Sequence, residues 1–171
     1  MDHNNKGDRI TLSLYPNDRG FGYAVCRGIN TVCYWGTKRS TGDKNKVCAR
    51  KFVQLLNQYR PKDVVLEDIP KEQEPRRPRV ADLIISLAQI SMAQGCTVHF
   101  YSRAQIRDAF QTHNAFTKQE IAEAIGAIVP ELKKQIPPKR RLWETEPMAM
   151  AYFSAASLAL THFHFDQNEQ S

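Results

Sequence analysis

Residues 9–27, RITLSLYPNDRGFGYAVCR, hold two alternating runs about a turn. Arg9 to Leu14 alternates polar and apolar residues, Pro16-Asn17-Asp18-Arg19-Gly20 is turn chemistry, and Phe21 to Arg27 alternates again, which predicts a hairpin. Gly28-Ile29-Asn30 makes a second turn before Thr31 to Trp35, a third short strand, so the chain opens as a three-stranded meander.

Beyond the meander, Cys48, Phe52, Leu55, Leu56 and Tyr59 recur at three- and four-residue spacing on one face of a helix that Pro61 ends. Asp63 to Glu67 (DVVLE) is a nearly all-apolar run of the kind buried on both faces inside a sheet, and it ends in the acids Glu67 and Asp68. Ile69 to Pro78, with three prolines and five charges, is an exposed loop. Arg79 to Gln94 is helical, with Val80, Ile84, Leu87 and Ala88 on one apolar face and Leu83 and Ile90 on another, a pattern suited to a second layer or a second subunit. Gly95 closes that helix, Thr97 to Tyr101 is a strand, and Ser102 caps a short helix to about Phe110, followed by a Gln111–Ala115 loop. Thr117 and Glu120 form a capping box for a helix from Lys118 to Ile128. Pro130, Pro137 and Pro138 break the chain into a basic loop, and a helix from about Pro147 to His162, apolar nearly all round, is expected against the sheet.

The order β-β-β-α-β-α-β-α-α-α is an α/β architecture whose sites gather at the carboxyl ends of the central strands, where Tyr15 and Glu67 fall. The expected organisation is a flexible N-terminus over 1–8, one domain over 9–165 and a disordered tail over 166–171. The 171 residues are 42% hydrophobic and 25% charged, which suits one domain with a substantial core. Lys+Arg 24 against Asp+Glu 18 gives a net charge of +6, which points to a polyanionic partner such as nucleic acid. The longest apolar stretch, Met148 to Leu160, is too short and too broken by serines for a membrane span, so a cytoplasmic protein is expected. Cys26, Cys33, Cys48 and Cys96 are scattered without metal-ligand spacing and are expected as reduced, packed residues.

Four segments together resemble the RuvC family of Holliday junction resolvases: ITLSLYPNDRGFGYAV, VVLEDIP, TVHFYSRAQIRDAFQTHNAFTKQEIAEAI and EPMAMAYFSAASLALTHFHF. The resemblance covers nearly the whole chain in the right order. It implies a ribonuclease H-like mixed five-stranded sheet flanked by helices, with two parallel strands beside the meander. It further implies a dimeric endonuclease for four-way DNA junctions, dependent on Mg²⁺ or Mn²⁺, with an acid on the first strand, a Glu ending the fourth and acids at the start of the last helix. Two hard cations need several converging carboxylates to generate hydroxide and stabilise the leaving oxygen.

Against that pattern Tyr15 stands where the first-strand acid is expected, and a neutral phenol is a poor Mg²⁺ ligand. Glu67 matches the fourth-strand glutamate; its alternative is a solvated strand end. Glu146 takes the place of a last-helix acid, though a helix start favours a carboxylate in any case. Trp143 replaces the acid one turn earlier, and Asp18 and Glu144 are the remaining candidate metal ligands. Lys118 matches a lysine placed near the scissile phosphate and Arg107 another basic position, while a first-turn lysine also suits plain solvent. The loop after Glu67 lacks the aromatic that wedges junctions open and carries Arg76, Arg77 and Arg79 instead; these, with Lys139 and Arg140, suit phosphate contacts or a soluble connector. His162 and His164 are expected as packed or surface residues.

The leading expectation is therefore a RuvC-like protein that binds branched or structured DNA, a pseudoenzyme with lost or weakened two-metal nuclease activity. The alternatives are an active junction endonuclease in which Glu67, Glu146 and Asp18 or Glu144 rebuild a Mg²⁺ or Mn²⁺ site, and a dimeric interaction protein that binds no nucleic acid.

Overall fold

The computed structural model describes residues 9–169, and the expected N-terminal segment 1–8 lies outside the described residues. The meander forms as the alternation predicts: β1 (Ile10–Asn17), β2 (Gly20–Arg27) and β3 (Val32–Arg39) pair antiparallel in sequence. Strand β4 (Asp63–Glu67) joins β1 in parallel and β5 (Thr97–Tyr101) joins β4 in parallel, giving the order β3-β2-β1-β4-β5. This is the mixed five-stranded, ribonuclease H-like sheet anticipated above, with β4 buried along its whole length.

β1 runs three residues further than the alternation indicated, through Tyr15, Pro16 and Asn17. Its pairing with β4 ends at Ser13, so Pro16 lies beyond that ladder and its missing N–H interrupts no bond to β4. The hairpin then closes over Asp18 and Arg19, with Asn17 Oδ1 accepting from the Arg19 N–H at 2.8 Å.

Two layers of helices sandwich the sheet. Helices α1 (Lys44–Tyr59) and α2 (Pro78–Ala93) cover one face, where Phe52, Leu55, Leu83 and Leu87 meet Leu12, Leu14, Val64 and Leu66. Asp43 caps α1 by accepting from the Lys46 N–H. Leu83 shares one cluster with Val80, Ile84 and Leu87, and Ile90 packs against it, so the two apolar faces expected for α2 are one broad face. Ile85 and Met92 remain exposed on that helix.

On the other face lie α3 (Arg103–Ala109), α4 (Lys118–Ile128), the single turn α5 (Pro130–Lys133) and the long α6 (Met150–Glu169). Ser102 and Gln105 form a full capping box on α3. At α4 only the Thr117 half forms, its hydroxyl accepting from the Glu120 N–H at 3.1 Å. α6 crosses β1 and β2 so closely that Ser13 Oγ donates to the Ala155 carbonyl at 2.6 Å and Gly22 sits beneath the Ala151 backbone. Its Ala151, Ala155, Ala156 and Ala159 are the small residues that permit this approach.

Two boundaries depart from expectation. α6 begins at Met150, because Pro147–Ala149 form a turn, and it continues to Glu169, so residues 166–169 of the expected disordered tail are helical while 170–171 lie outside the described residues. The loop after β4 contains a 3-10 turn at Lys71–Arg76, exposed throughout. Cys26, Cys33, Cys48 and Cys96 are free, and burial pushes the Cys26 thiol up to about 12. No helix among the described residues is long and apolar enough to cross a membrane.

Candidate functional site

The carboxyl ends of the parallel strands β1 and β4 open into a crevice, because α2 leaves the sheet on one side and α3, α4 and α6 on the other. Alternation along β4 puts Asp63, Val65 and Glu67 toward α6, and the same rule on β1 turns Tyr15 that way. Tyr15, Glu67, Lys118, Arg103, Arg107 and Phe116 line one end of the crevice, with Met150, Phe153, Ser154 and Ser157 of α6 as its floor. Tyr15 and Arg103 also line an adjoining cavity with Arg76, Arg77, Arg79, Asp18 and Glu146.

Glu67 and Glu146 are the two carboxylates that approach Tyr15 here, and each is engaged by an internal cation. Arg77 Nη1 donates to both oxygens of Glu67 at 3.2 and 3.3 Å, and the carboxylate is almost fully buried. Burial works against the Arg77 charge, yet the attraction of Glu67 and the hydrogen bond to it raise the guanidinium pKa above its ordinary value. Lys118 Nζ stands between Tyr15 Oη and Glu146 Oε1, 3.2 Å from each, and 5.0 Å from the Tyr15 ring centre. Arg19 in addition donates to the Glu146 carbonyl, anchoring the segment before α6.

The remaining candidate acids do not join them. Asp18 is almost fully exposed and faces Arg79 at 3.7 Å, while Arg79 also holds Asn45 Oδ1 at 2.9 Å and the Asn17 carbonyl at 3.1 Å. β1 continues straight to Asn17, so the hairpin tip does not fold back over Glu67. Glu144 accepts from the Arg141 N–H within its own loop. Trp143 lies in that loop, 77% exposed, not one turn ahead of Glu146 on a helix. Likewise Glu146 does not cap α6, which starts four residues later. The α6 residues facing Tyr15 and Glu67 carry hydroxyl or apolar groups, a point that the Glu146 assignment misses.

A Mg²⁺ pair needs three or four converging acids on rigid elements. Two carboxylates, each already neutralised by an ion pair, and a phenol do not fit such a pair. The crevice does fit phosphate: Arg76, Arg77, Arg79, Arg103, Arg107 and Lys118 border it against Glu67, Asp18 and Glu146. Arg77 and Arg79 are partly committed to internal partners, whereas Arg76, Arg103 and Arg107 are exposed. Arg103 is the basic residue that sequence reasoning did not single out; its place at the start of α3, directly after β5, is the signal for it. Lys139 and Arg140 border a neighbouring groove with Lys118 and Glu146.

A second polar cluster lies within the layer between the sheet and α6. Asp63, His99 and His162 bring one ligand atom each within 4.8 Å of one another. Arg9 clasps Asp63 with Nε and Nη2, His99 Nε2 bonds Asp63 Oδ1 at 2.9 Å, and Tyr101 Oη bonds His162 Nδ1 at 2.8 Å. This arrangement reads as a closed structural network, and His162 is packed, as expected. Burial pushes Asp63 up, but hydrogen bonds and charge from His99 and Arg9 reverse this and hold it down at about 2. Burial, with the adjacent His99, lowers His162 to about 4, against partial opposition from Asp63 and Asp166.

The lowered His162 pKa makes stability depend on pH. Between about 4 and 6.5 the unfolded chain binds a proton at this position that the folded chain does not, so stability is full above about 6.5 and declines as pH falls toward 4. The expected loss is on the order of 2 kcal/mol, read by urea melts at pH 7.5 and pH 4.5. His162→Gln flattens that slope between the two pH values. An unchanged slope in the variant assigns the pH dependence elsewhere.

No protein-family model matches the chain, and no curated protein matches it. Among solved structures, RuvC from T. thermophilus in complex with a Holliday junction substrate superposes with a TM-score of 0.68, at 14% identity over 95% of this chain and 98% of that one. A second Thermus thermophilus RuvC structure gives 0.64 at 15% identity, covering 94% and 96%. The yeast mitochondrial Holliday junction resolvase gives 0.58 at 12% identity, covering 95% and 83%. The chain has the fold of these proteins over nearly its whole length.

Proposed function

We propose that this protein, built on the fold of RuvC, binds branched or otherwise structured DNA at the crevice beside Tyr15 and has lost or greatly weakened two-metal phosphodiester cleavage. The observation that carries the reading is the Arg77–Glu67 pair together with Lys118 bridging Glu146 and Tyr15: internal cations engage both nearby acids. A positive charge held against each carboxylate competes electrostatically with a divalent ion there. The same cations and their exposed neighbours attract phosphate.

The roles follow from position. Arg76, Arg103 and Arg107 are exposed around the crevice and take backbone phosphates, while Lys139 and Arg140 extend the basic surface toward the loop before α6. Lys118, held on the first turn of α4, offers one further charge and is positioned by Tyr15 and Glu146. Arg77 and Arg79 organise the loop after β4 by fastening it to Glu67 and to the β1–β2 hairpin. Such contacts give affinity and orientation and no sequence readout.

The alternative of an active endonuclease with a rebuilt Mg²⁺ or Mn²⁺ site would need Asp18 or Glu144 beside Glu67. Both are turned to partners of their own. A homodimer remains part of the proposal, with exposed Ile85 and Met92 on α2 as its candidate contact.

The test is binding of a labelled four-way junction, a linear duplex and a single strand in EDTA across a salt series. Five or so phosphate contacts give a slope of log K on log[salt] of about −4 to −5, and Arg76→Ala or Arg107→Ala each reduces it by about 1. Salt-insensitive behaviour with no retardation of any of the three would support an interaction protein instead. Metal-dependent cleavage that Glu67→Gln removes would support the active nuclease.

A further inference from the structure

The loop between α5 and α6 carries a feature that phosphate binding alone does not explain. Leu142 is fully exposed and Trp143 77% exposed, side by side. Single exposed apolar residues are ordinary, but Trp is a residue that folding normally buries for most of its surface. Three consecutive cations, Lys139, Arg140 and Arg141, immediately precede the pair.

This presentation is built. The Glu144 N–H donates to the Arg141 carbonyl at 3.0 Å, Glu144 Oε2 accepts from the Arg141 N–H at 3.1 Å, and Arg140 donates to the Glu144 carbonyl. Residues 141–144 are therefore a closed turn with Leu142 and Trp143 as its two central residues. At the base of the loop Gln119 Nε2 holds the Pro137 carbonyl at 2.9 Å. The Arg141 guanidinium lies 5.5 Å from the Trp143 ring centre, a cation–π contact that orients the indole without covering it. Beside the turn runs a groove of about 420 Å³ bordered by the cations Lys118, Lys139 and Arg140 and by the acids Glu120, Glu123 and Glu146, so the cationic surface is that of residues 139–141.

We propose that the turn 141–144 is a stacking platform for an unpaired nucleobase, with Trp143 against the base and Lys139 to Arg141 on the flanking phosphates. The inference rests on the nucleic-acid reading above and adds the class of ligand: a strand with an unstacked base, at a branch point, bulge or single-stranded segment. Charge complementarity selects the occupant. Three adjacent cations favour a polyanion that also offers a flat apolar face, and a nucleobase joined to its phosphates is that ligand.

The test compares three DNA ligands of equal length in EDTA: a perfect duplex, the same duplex with an unpaired thymine bulge, and a single strand. Trp143→Ala is expected to weaken the bulged and single-stranded ligands about tenfold, the loss of one base–aromatic stack, with less than a twofold change on the duplex and an unaltered salt slope. Trp143→Phe is expected to restore most of the affinity. Because the residue is exposed, the melting temperature of Trp143→Ala should match that of the parent, and the binding comparison then reports stacking alone. An equal loss on all three ligands, or no loss on any, overturns the platform while leaving the nucleic-acid reading intact. Absence of binding by the parent chain to every ligand overturns both. Concentration-dependent self-association that Trp143→Ala abolishes assigns the turn to a second copy of the chain and also overturns it.

Discussion

Replacing Tyr15 and Ser154 together by aspartate is expected to turn the crevice into a divalent-metal site. Both residues line the cavity that also holds Glu67, one from the end of β1 and one from the second turn of α6, so the double variant supplies acids on three rigid elements. Glu67 must be freed from Arg77 for this, and Arg77→Gln in the same background does so. With an affinity near 1 mM, 10 mM Mg²⁺ stabilises the variant by about 1.4 kcal/mol, a rise of a few degrees in Tm, where the parent chain gains nothing. Mg²⁺- or Mn²⁺-dependent nicking of a four-way junction accompanies the rise in the variant alone. Metal-induced stabilisation of the parent, removed by Glu67→Gln, would show that the native crevice already holds the ion and would sink the reading of a lost site. The outcome matters because the proposed loss of cleavage rests on the acids alone: the crevice has parallel strand ends, a lysine on α4 and a basic border already in place.

Gly22→Ala is expected to be strongly destabilising, because it sets a side chain against the backbone of α6. A Cβ there would fall 2.1 Å from the Ala151 carbonyl carbon, 2.3 Å from its oxygen and 2.4 Å from the Tyr152 nitrogen. All three are backbone atoms of α6, so relief requires the helix to lift off β2, and that displaces an element with thirteen buried residues. Overpacking of this kind costs about 3 kcal/mol or more, and the expected shift in Tm is about 10 °C. Gly42→Ala offers the comparison, since nothing lies within 4 Å of its added methyl and only the positive φ of 70° opposes it. That change is expected to cost about 1 kcal/mol. Equal losses for the two variants in urea melts would mean that the contact of α6 with β2 is looser than the geometry indicates.

The two expectations concern one packing relation. α6 lies on β1 and β2 at the distance that Gly22 and the alanines allow, and this contact fixes where Ser154 and Ser157 stand relative to Tyr15 and Glu67. The crevice is thus a consequence of core packing at one end of the helix. At the other end the Arg9–Asp63–His99 and His162–Tyr101 contacts hold β4, β5 and α6 together.

Much of this was legible in the sequence because it depends on local pattern. Period-two alternation marked the meander, the run DVVLE marked the central strand, and Ser102 and Thr117 marked helix starts, since each signal is set by residues within a few positions of one another. The resemblance of four segments to RuvC gave the parallel placement of β4 and β5, which the sheet bears out. The last helix starts at Met150 and not at Pro147: proline is a favourable first-turn residue wherever a helix begins, and the turn Pro147–Ala149 uses it differently.

Local pattern sets the strands and helices and puts Tyr15 and Glu67 at strand ends, and it is the resemblance to RuvC that marks Tyr15 as standing where an acid is expected. Which charges meet is set by how the elements pack. Lys118 reaches Tyr15 across 103 positions of chain and Glu146 across 28, Arg77 turns back onto Glu67, and Asp18 and Glu144 spend their charge on Arg79 and on their own loop. The physical reason is range: hydrophobic period reports which face of an element is buried, whereas an ion pair depends on the relative placement of elements, which only packing sets.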